Sequence, residues 1–98
     1  MKVRISQQVL GFIRSLPPDA RHKLRLALKG LSKGQENILH LEGTLAVYSR
    51  LRIAGYRVII FYRDANQIEC VFAEHRSIIY EIFAEELRTR LSGKSENA

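Results

Sequence analysis

The sequence predicts an α+β domain in which an N-terminal helical hairpin and a C-terminal helix pack on an antiparallel-rich four-stranded sheet. Apolar residues recur every three or four positions in residues 6–32 and again after residue 77, which is the period of amphipathic helices. Between these segments, residues 47–73 carry the alternation and the apolar runs typical of strands, separated by short turns. The predicted order of elements is β-α-α-β-β-β-α.

The first half of the chain predicts one strand and two helices. KVRI at 2–5 alternates as a strand does, and Ser6 is a candidate N-cap for the helix that follows. Pro17 and Pro18 end that helix, and a proline suits the first turn of the next helix, predicted over 19–32. The apolar stripe of this second helix consists of Ala20, Leu24, Ala27, Leu28 and Leu31.

The second half predicts a meander of three strands and a last helix. Residues 34–44 contain two glycines and no clear period, so they are predicted to form a loop. The strands are predicted at 47–53, 56–62 and 67–73, with Ala54-Gly55 as the first turn. The last helix is predicted to begin near Ser77, with Ile79, Phe83, Leu87 and Leu91 on its apolar side.

Length and charge indicate one small basic domain. The chain has 98 residues and a net charge of +6, so we expect a single domain at 1–92 and a flexible tail at 93–98. Residues 1–33 hold eight basic residues against Asp19 alone, and three of the basic ones, Arg21, Lys23 and Arg25, lie largely off the apolar stripe of the second helix. This asymmetry favours a polyanionic partner, either a nucleic acid or an acidic protein, although it also serves solubility.

Several classes of protein are not indicated by the sequence. No apolar run approaches the roughly 20 residues of a membrane span, and the start lacks the pattern of a signal peptide. Cys70 is the only cysteine, so no internal disulfide can form. There is no glycine-rich phosphate loop, and the three histidines and one cysteine lack metal-ligand spacing. We therefore expect a cytoplasmic protein with no cofactor, no bound metal and no membrane partner.

Arginines concentrate around the first predicted hairpin. Tyr48, Arg50 and Arg52 share one face of a strand, and Arg57 begins the next strand close to Arg52. Guanidinium groups bind phosphate in a bidentate manner and stay charged at any working pH. The cluster therefore predicts an anion site, with a charged, solvated sheet edge as the alternative.

A second polar segment, EHRSIIY at 74–80, joins the last strand to the last helix. His75 can exchange a proton near neutral pH, Arg76 follows it, and Tyr80 lies about one helical turn further on. The structural alternative is that Ser77 caps the helix and that His75 and Tyr80 only pack.

Taken together, the two segments resemble the RelE/ParE superfamily of bacterial toxins. The resemblance covers roughly residues 2–91 and includes SLPPDAR, the LEG loop at 41–43, the R-x-x-G-Y-R hairpin at 52–57 and the H-R-x-x-x-Y ending at 75–80. It implies the toxin of a type II toxin-antitoxin system, which binds a cognate antitoxin in a hetero-oligomer. RelE-like members are metal-independent mRNA endonucleases, often ribosome-associated, in which the ribose 2′-OH attacks the adjacent phosphate.

The resemblance also implies roles for individual residues. The catalytic set would be Arg50, Arg57, His75, Arg76 and Tyr80. The RNA or phosphate contacts would come from Tyr48, Arg52, Arg21, Lys23 and Arg25. Two positions depart from RelE, since Tyr48 and Glu74 stand where RelE has basic residues, and Glu74 is a possible general base. The alternatives are a ParE-like poison of DNA gyrase and a catalytically decayed module that only binds an antitoxin.

Overall fold

The computed structural model describes residues 2–34 and 37–97, with side chains described up to Leu91. The chain forms strands β1 (Lys2–Ile5), β2 (Ile38–His40), β3 (Ser49–Ile53), β4 (Tyr56–Asp64) and β5 (Gln67–His75), and helices α1 (Gln7–Ser15), α2 (Pro18–Leu31) and α3 (Ile79–Asn97). A short 3₁₀ turn at Gly43–Leu45 precedes β3. The α+β class and the order of the predicted elements are therefore confirmed, while the flexible tail at 93–98 stays a prediction.

The sheet is mixed and has five strands, where the sequence predicts four. Its order is β1-β5-β4-β3-β2, with β1 parallel to β5 and all other neighbours antiparallel. The additional strand, β2, lies in the segment predicted to be a loop, and its Ile38 pairs with Leu51 of β3. Three residues are too few to show a period of two, so this strand depends on pairing with β3 rather than on a local pattern.

The helical hairpin and the last helix cover opposite faces of the sheet. On the hairpin side, Val9 and Ile13 of α1 and the buried leucines of α2 pack on the sheet. On the α3 side, Ile79 and Phe83 form a smaller cluster with sheet residues. The sheet residues in the first cluster are Leu51, Ile53, Val58, Ile60, Ile68, Cys70 and Ala73, and those in the second are Ile59 and Phe72. The two-sided burial explains why β4 is apolar on both faces.

The helix starts follow the local sequence signals closely. The Ser6 side chain accepts a hydrogen bond from the Val9 N–H at 3.2 Å and so caps α1. Pro18 occupies the first turn of α2, where its missing N–H costs no intrahelical bond. Among the described residues, no helix has the length and hydropathy that crossing a membrane requires.

A β-bulge in β5 changes which residues face α3. Ile60 pairs with Cys70 while its neighbour Ile59 pairs with Phe72, so Val71 is an extra residue in β5. Beyond the bulge, Ala73 stays on the hairpin side and Glu74 pairs with Arg57. Cys70 lies before the bulge in the core, where burial raises the pKa of its thiol to about 12.

Candidate anion-binding site

The register of β3 and β4 brings three arginines together on the α3 side of the sheet. Arg52 lies directly opposite Arg57, and Arg50 lies opposite Ile59, a member of the α3-side core. Residues that are directly opposite in an antiparallel pair project from the same face, with Cβ atoms about 4.5–5.5 Å apart. Leu51 and Ile53 alternate with these arginines and point into the hairpin-side core, which fixes the arginines on the other face.

Arg57 is the centre of this cluster. Its Nη1 donates hydrogen bonds to the Ala54 carbonyl at 3.0 Å and to the Tyr56 carbonyl at 2.8 Å, so the guanidinium is held against the β3–β4 turn. Partial burial lowers the pKa of Arg57, and the positive charges of Arg50, Arg52 and Arg76 lower it further, while the Tyr80 phenol acts in the opposite sense. Arg50, Arg52, Arg57, Arg76 and Tyr80 are called the arginine site below.

The junction between β5 and α3 completes the arginine site. The Arg76 N–H donates to the Gly55 carbonyl at 2.9 Å, which ties the start of the junction to the β3–β4 turn. Tyr80 lies in the first turn of α3, leaves 38% of its surface exposed, and influences the pKa of Arg57 electrostatically. Ile79 is fully buried next to it and anchors this turn on the sheet. The packing of α3 therefore sets the position of Tyr80.

No carboxylate forms an ion pair with the arginine site within the described part of the chain. The ion pairs there join Arg63 to Glu69, Arg88 to Glu85 and Arg90 to Glu86, and all three lie outside the site. Glu74 pairs with Arg57 in the sheet, but its Oε1 accepts a hydrogen bond from the His75 N–H at 2.9 Å instead of forming an ion pair. Four grouped guanidiniums repel one another, and a bound anion would relieve that repulsion.

Tyr48 takes a packing position at the border of the same face. Its ring meets the ring of Phe83 edge-on, with centroids 4.9 Å apart, and that of Phe61 at 6.0 Å. The side chain is half-buried against the α3-side core. Tyr48 thus connects α3 to β3 and β4 beside the arginines.

His75 lies on the other side of the sheet. It pairs with Tyr56, and the two rings meet edge-on with centroids 5.9 Å apart. Tyr56 in turn packs on Phe12 of α1, which places the imidazole on the hairpin side. The His75 Nδ1 lies 2.9 Å from the Ser77 Oγ and accepts from the Ser77 N–H at 3.3 Å. The structure thus brings Glu74 to the face of the arginine site and separates His75 from it.

The basic residues of α2 are also separated from the arginine site. Arg21, Lys23 and Arg25 belong to the helix that covers the hairpin side.

Arg25 borders a groove of about 630 Å³ between β1, α1 and α2, which the sequence did not predict. The groove has apolar walls formed by Val3, Ile5, Leu10, Ile13, Leu26 and Leu28, and a polar rim formed by Arg14, His22, Arg25, Lys29 and Ser32. Leu26 is 53% exposed. Its position off the apolar stripe of α2 was the sequence feature that could have indicated this groove.

The similarity of this chain to known proteins lies in its fold. No protein-family model matches the sequence, and no curated protein matches it either. A chain from the RelBE2 toxin-antitoxin complex of Mycobacterium tuberculosis is similar, with a TM-score of 0.66 and 19% identity over 76% of this chain and 96% of that one. A chain from the RelB-RelE antitoxin-toxin complex of Methanococcus jannaschii has a TM-score of 0.64 and 19% identity, covering 82% of this chain and 98% of that one. At this identity, the likeness establishes that the chain shares its fold with chains of these two complexes.

Proposed function

We propose that this chain is the toxin of a toxin-antitoxin pair and a metal-independent endoribonuclease that cuts mRNA, in association with the ribosome. The observation that carries the proposal is the arginine site, in which four guanidiniums and a tyrosine share one surface without a carboxylate partner among the described residues. A domain with core clusters on both faces of its sheet suits the toxin better than a segment that wraps around a partner.

The proposed reaction uses the RNA's own 2′-OH. Its oxygen forms a bond to the adjacent phosphorus, and the bond from phosphorus to the 5′-oxygen breaks, which leaves a cyclic phosphate and a free 5′-OH. Arg50, Arg52, Arg57 and Arg76 stabilise the charge on the phosphorane. The Tyr80 hydroxyl of the arginine site donates its proton to the leaving 5′-oxygen.

Glu74 is the proposed acceptor of the 2′-OH proton. It is the carboxylate of the cross-strand row that contains Arg52 and Arg57, and it is half-buried. His75, the other candidate, contacts Tyr56 on the opposite side of the sheet. A base has to reach the proton that it removes, so the shared face favours Glu74. We assign His75 to holding the β5–α3 junction through Ser77.

Cleavage in programmed ribosomes tests the proposal directly. Purified protein is incubated with ribosomes carrying a defined mRNA, and the new 5′ ends are mapped. We expect cuts that fall about 10²- to 10³-fold in rate with Arg57→Ala and with Glu74→Gln. His75→Ala and Arg63→Ala, the latter an exposed arginine of β4 that pairs with Glu69, should retain most of the rate. Absence of cuts by the unmodified protein would overturn the nuclease proposal, and cuts that persist in Arg57→Ala would place the site elsewhere.

The second candidate is a poison of DNA gyrase. The position of Glu74 opposite Arg57 favours it, because a carboxylate on this face repels an RNA phosphate, and a gyrase poison needs no RNA phosphate site. It predicts that the protein inhibits supercoiling by purified gyrase and that growth arrest survives Glu74→Gln. The nuclease proposal predicts normal supercoiling and loss of growth arrest in that variant.

We further propose that the groove between β1, α1 and α2 binds an acidic amphipathic segment of the antitoxin. Its apolar walls and its cationic rim are complementary to such a segment. The test is calorimetric titration with a candidate antitoxin, namely the product of a neighbouring gene that encodes a short acidic protein. Leu26→Glu should raise the Kd at least about tenfold by placing charge in the groove. Leu39→Glu, at a leucine equally exposed at 53% but on β2, is the matched control, and an equal loss in both variants would contradict the groove assignment.

A further inference from the structure

The turn between β3 and β4 has an alanine at a position where the backbone favours glycine. Ala54 has a φ of 52°, in the left-handed region that disfavours any residue with a Cβ, whereas its neighbour Gly55 has no positive φ. Gly55 could adopt this conformation without strain, but the residue that adopts it is Ala54, one position earlier. Such strain persists where the surrounding contacts impose it, and it concentrates at functional sites.

Ala54-Gly55 is a two-residue hairpin turn between the paired residues Ile53 and Tyr56, and such a turn can require a positive φ at its first residue. The carbonyl groups of this turn contact the arginine site. The Ala54 carbonyl accepts a hydrogen bond from the Arg57 Nη1 at 3.0 Å, and the same nitrogen donates to the Tyr56 carbonyl. The next carbonyl of the turn, that of Gly55, accepts from the Arg76 N–H at 2.9 Å. The backbone of this turn therefore orients the Arg57 guanidinium and holds the main chain at Arg76.

We propose that Ala54 is a positioning residue of the arginine site, whose left-handed backbone holds the Arg57 guanidinium ready for an RNA phosphate. An arginine that is ordered before binding loses less side-chain freedom when the phosphate arrives, so the complex is tighter. This inference rests on the proposed function in one respect, namely that the arginine site binds RNA. It adds that part of the affinity comes from a strained turn that contains no charge.

The variant Ala54→Gly separates strain from function. Glycine adopts positive φ freely, so we expect the Tm to rise by roughly 2–5 °C as strain is relieved. The more flexible turn should hold Arg57 less firmly, which raises the Kd for a short 2′-O-methyl RNA by about three- to tenfold. This probe lacks the attacking 2′-OH and therefore cannot be cut. If Ala54 had only a structural role, Ala54→Gly would raise the Tm without raising the Kd for RNA.

Matched variants decide the outcome. Ala65→Gly makes the same change in the β4–β5 turn, where φ is not positive, so the Tm should fall slightly and the Kd should stay unchanged. If Arg57→Ala leaves the Kd unchanged, RNA binding by the arginine site itself is wrong. If Arg57→Ala weakens binding and Ala54→Gly does not, the positioning role alone is overturned. A lower Tm for Ala54→Gly would also overturn it, since no strain would have been relieved.

Discussion

At the scale of single residues, Gln8 takes the place of a missing strand. The parallel pairing of β1 with β5 ends at Cys70, so the edge of β5 beyond that residue has no neighbouring strand on this side. The Gln8 side chain fills the gap, because its Nε2 donates to the Ala73 carbonyl and its Oε1 accepts from the Ala73 N–H, both at 2.7 Å. Ala73 is fully buried, so these backbone groups have no access to water.

Truncating Gln8 should therefore cost much more stability than its helix position suggests. We expect Gln8→Ala to lower the free energy of unfolding by about 2–4 kcal/mol, because two buried backbone groups lose their partners. The adjacent Gln7 is exposed, and Gln7→Ala is the matched control, expected to change stability by less than about 0.5 kcal/mol. Urea denaturation of both variants measures the difference, and equal values would show that water replaces the side chain of Gln8.

The bulge at Val71 marks the limit of prediction at the residue scale. Strand alternation alone placed Arg50 and Arg52 together, and the short turn placed Arg57 beside them. The same rule applied to β5 would put Cys70, Phe72 and Glu74 on one face. The extra residue separates Cys70 from the other two, and it puts Glu74 on the face of the arginines. A bulge arises from the pairing of two strands, so periodicity within one strand does not reveal it.

At the scale of elements, α3 holds Tyr80 at the arginine site. Its buried residues Ile79 and Phe83 anchor it on the sheet. Ile79 is fully buried, and Phe83 packs on Phe72 and Tyr48 with ring centroids 5.7 and 4.9 Å away. The helix was predictable because its apolar residues recur at intervals of four. β2 was not, because it has three residues and depends on pairing with β3. The sequence pattern of α3, which contributes Tyr80 to the site, is thus stronger than that of β2 at the edge of the sheet.

The anchoring of α3 leads to a stability prediction with a neighbouring control. Ile79→Ala should lower the free energy of unfolding by about 2–4 kcal/mol, because it leaves a cavity beneath the first turn of the helix. Ile78→Ala removes the same atoms from a side chain that is 38% exposed, and it should cost less than about 1 kcal/mol. Thermal unfolding followed by circular dichroism compares the two variants. A similar cost for both would mean that α3 is not held by Ile79.

At the scale of the whole molecule, the positive charge is divided between two opposite faces of the sheet. The arginine site lies on the α3 side, and the basic residues of α2 lie on the hairpin side. A net charge of +6 attracts any polyanion to both faces. The sequence alone could not separate these surfaces. It shows the charges of α2 and of the β3–β4 hairpin, but it does not show on which side of the sheet each set lies. The division predicts that RNA and an acidic protein partner can occupy different faces.

The salt dependence of the proposed RNA binding tests which face contacts phosphates. Each phosphate contact with a single strand contributes about 0.7 to the slope of log K against log salt concentration. Arg50→Gln combined with Arg57→Gln should therefore reduce the slope for a 2′-O-methyl RNA by about 1.4. Arg21→Gln combined with Arg25→Gln removes the same net charge from α2 and should leave the slope nearly unchanged. Equal reductions in the two double variants would mean that overall charge, rather than the arginine site, holds the RNA.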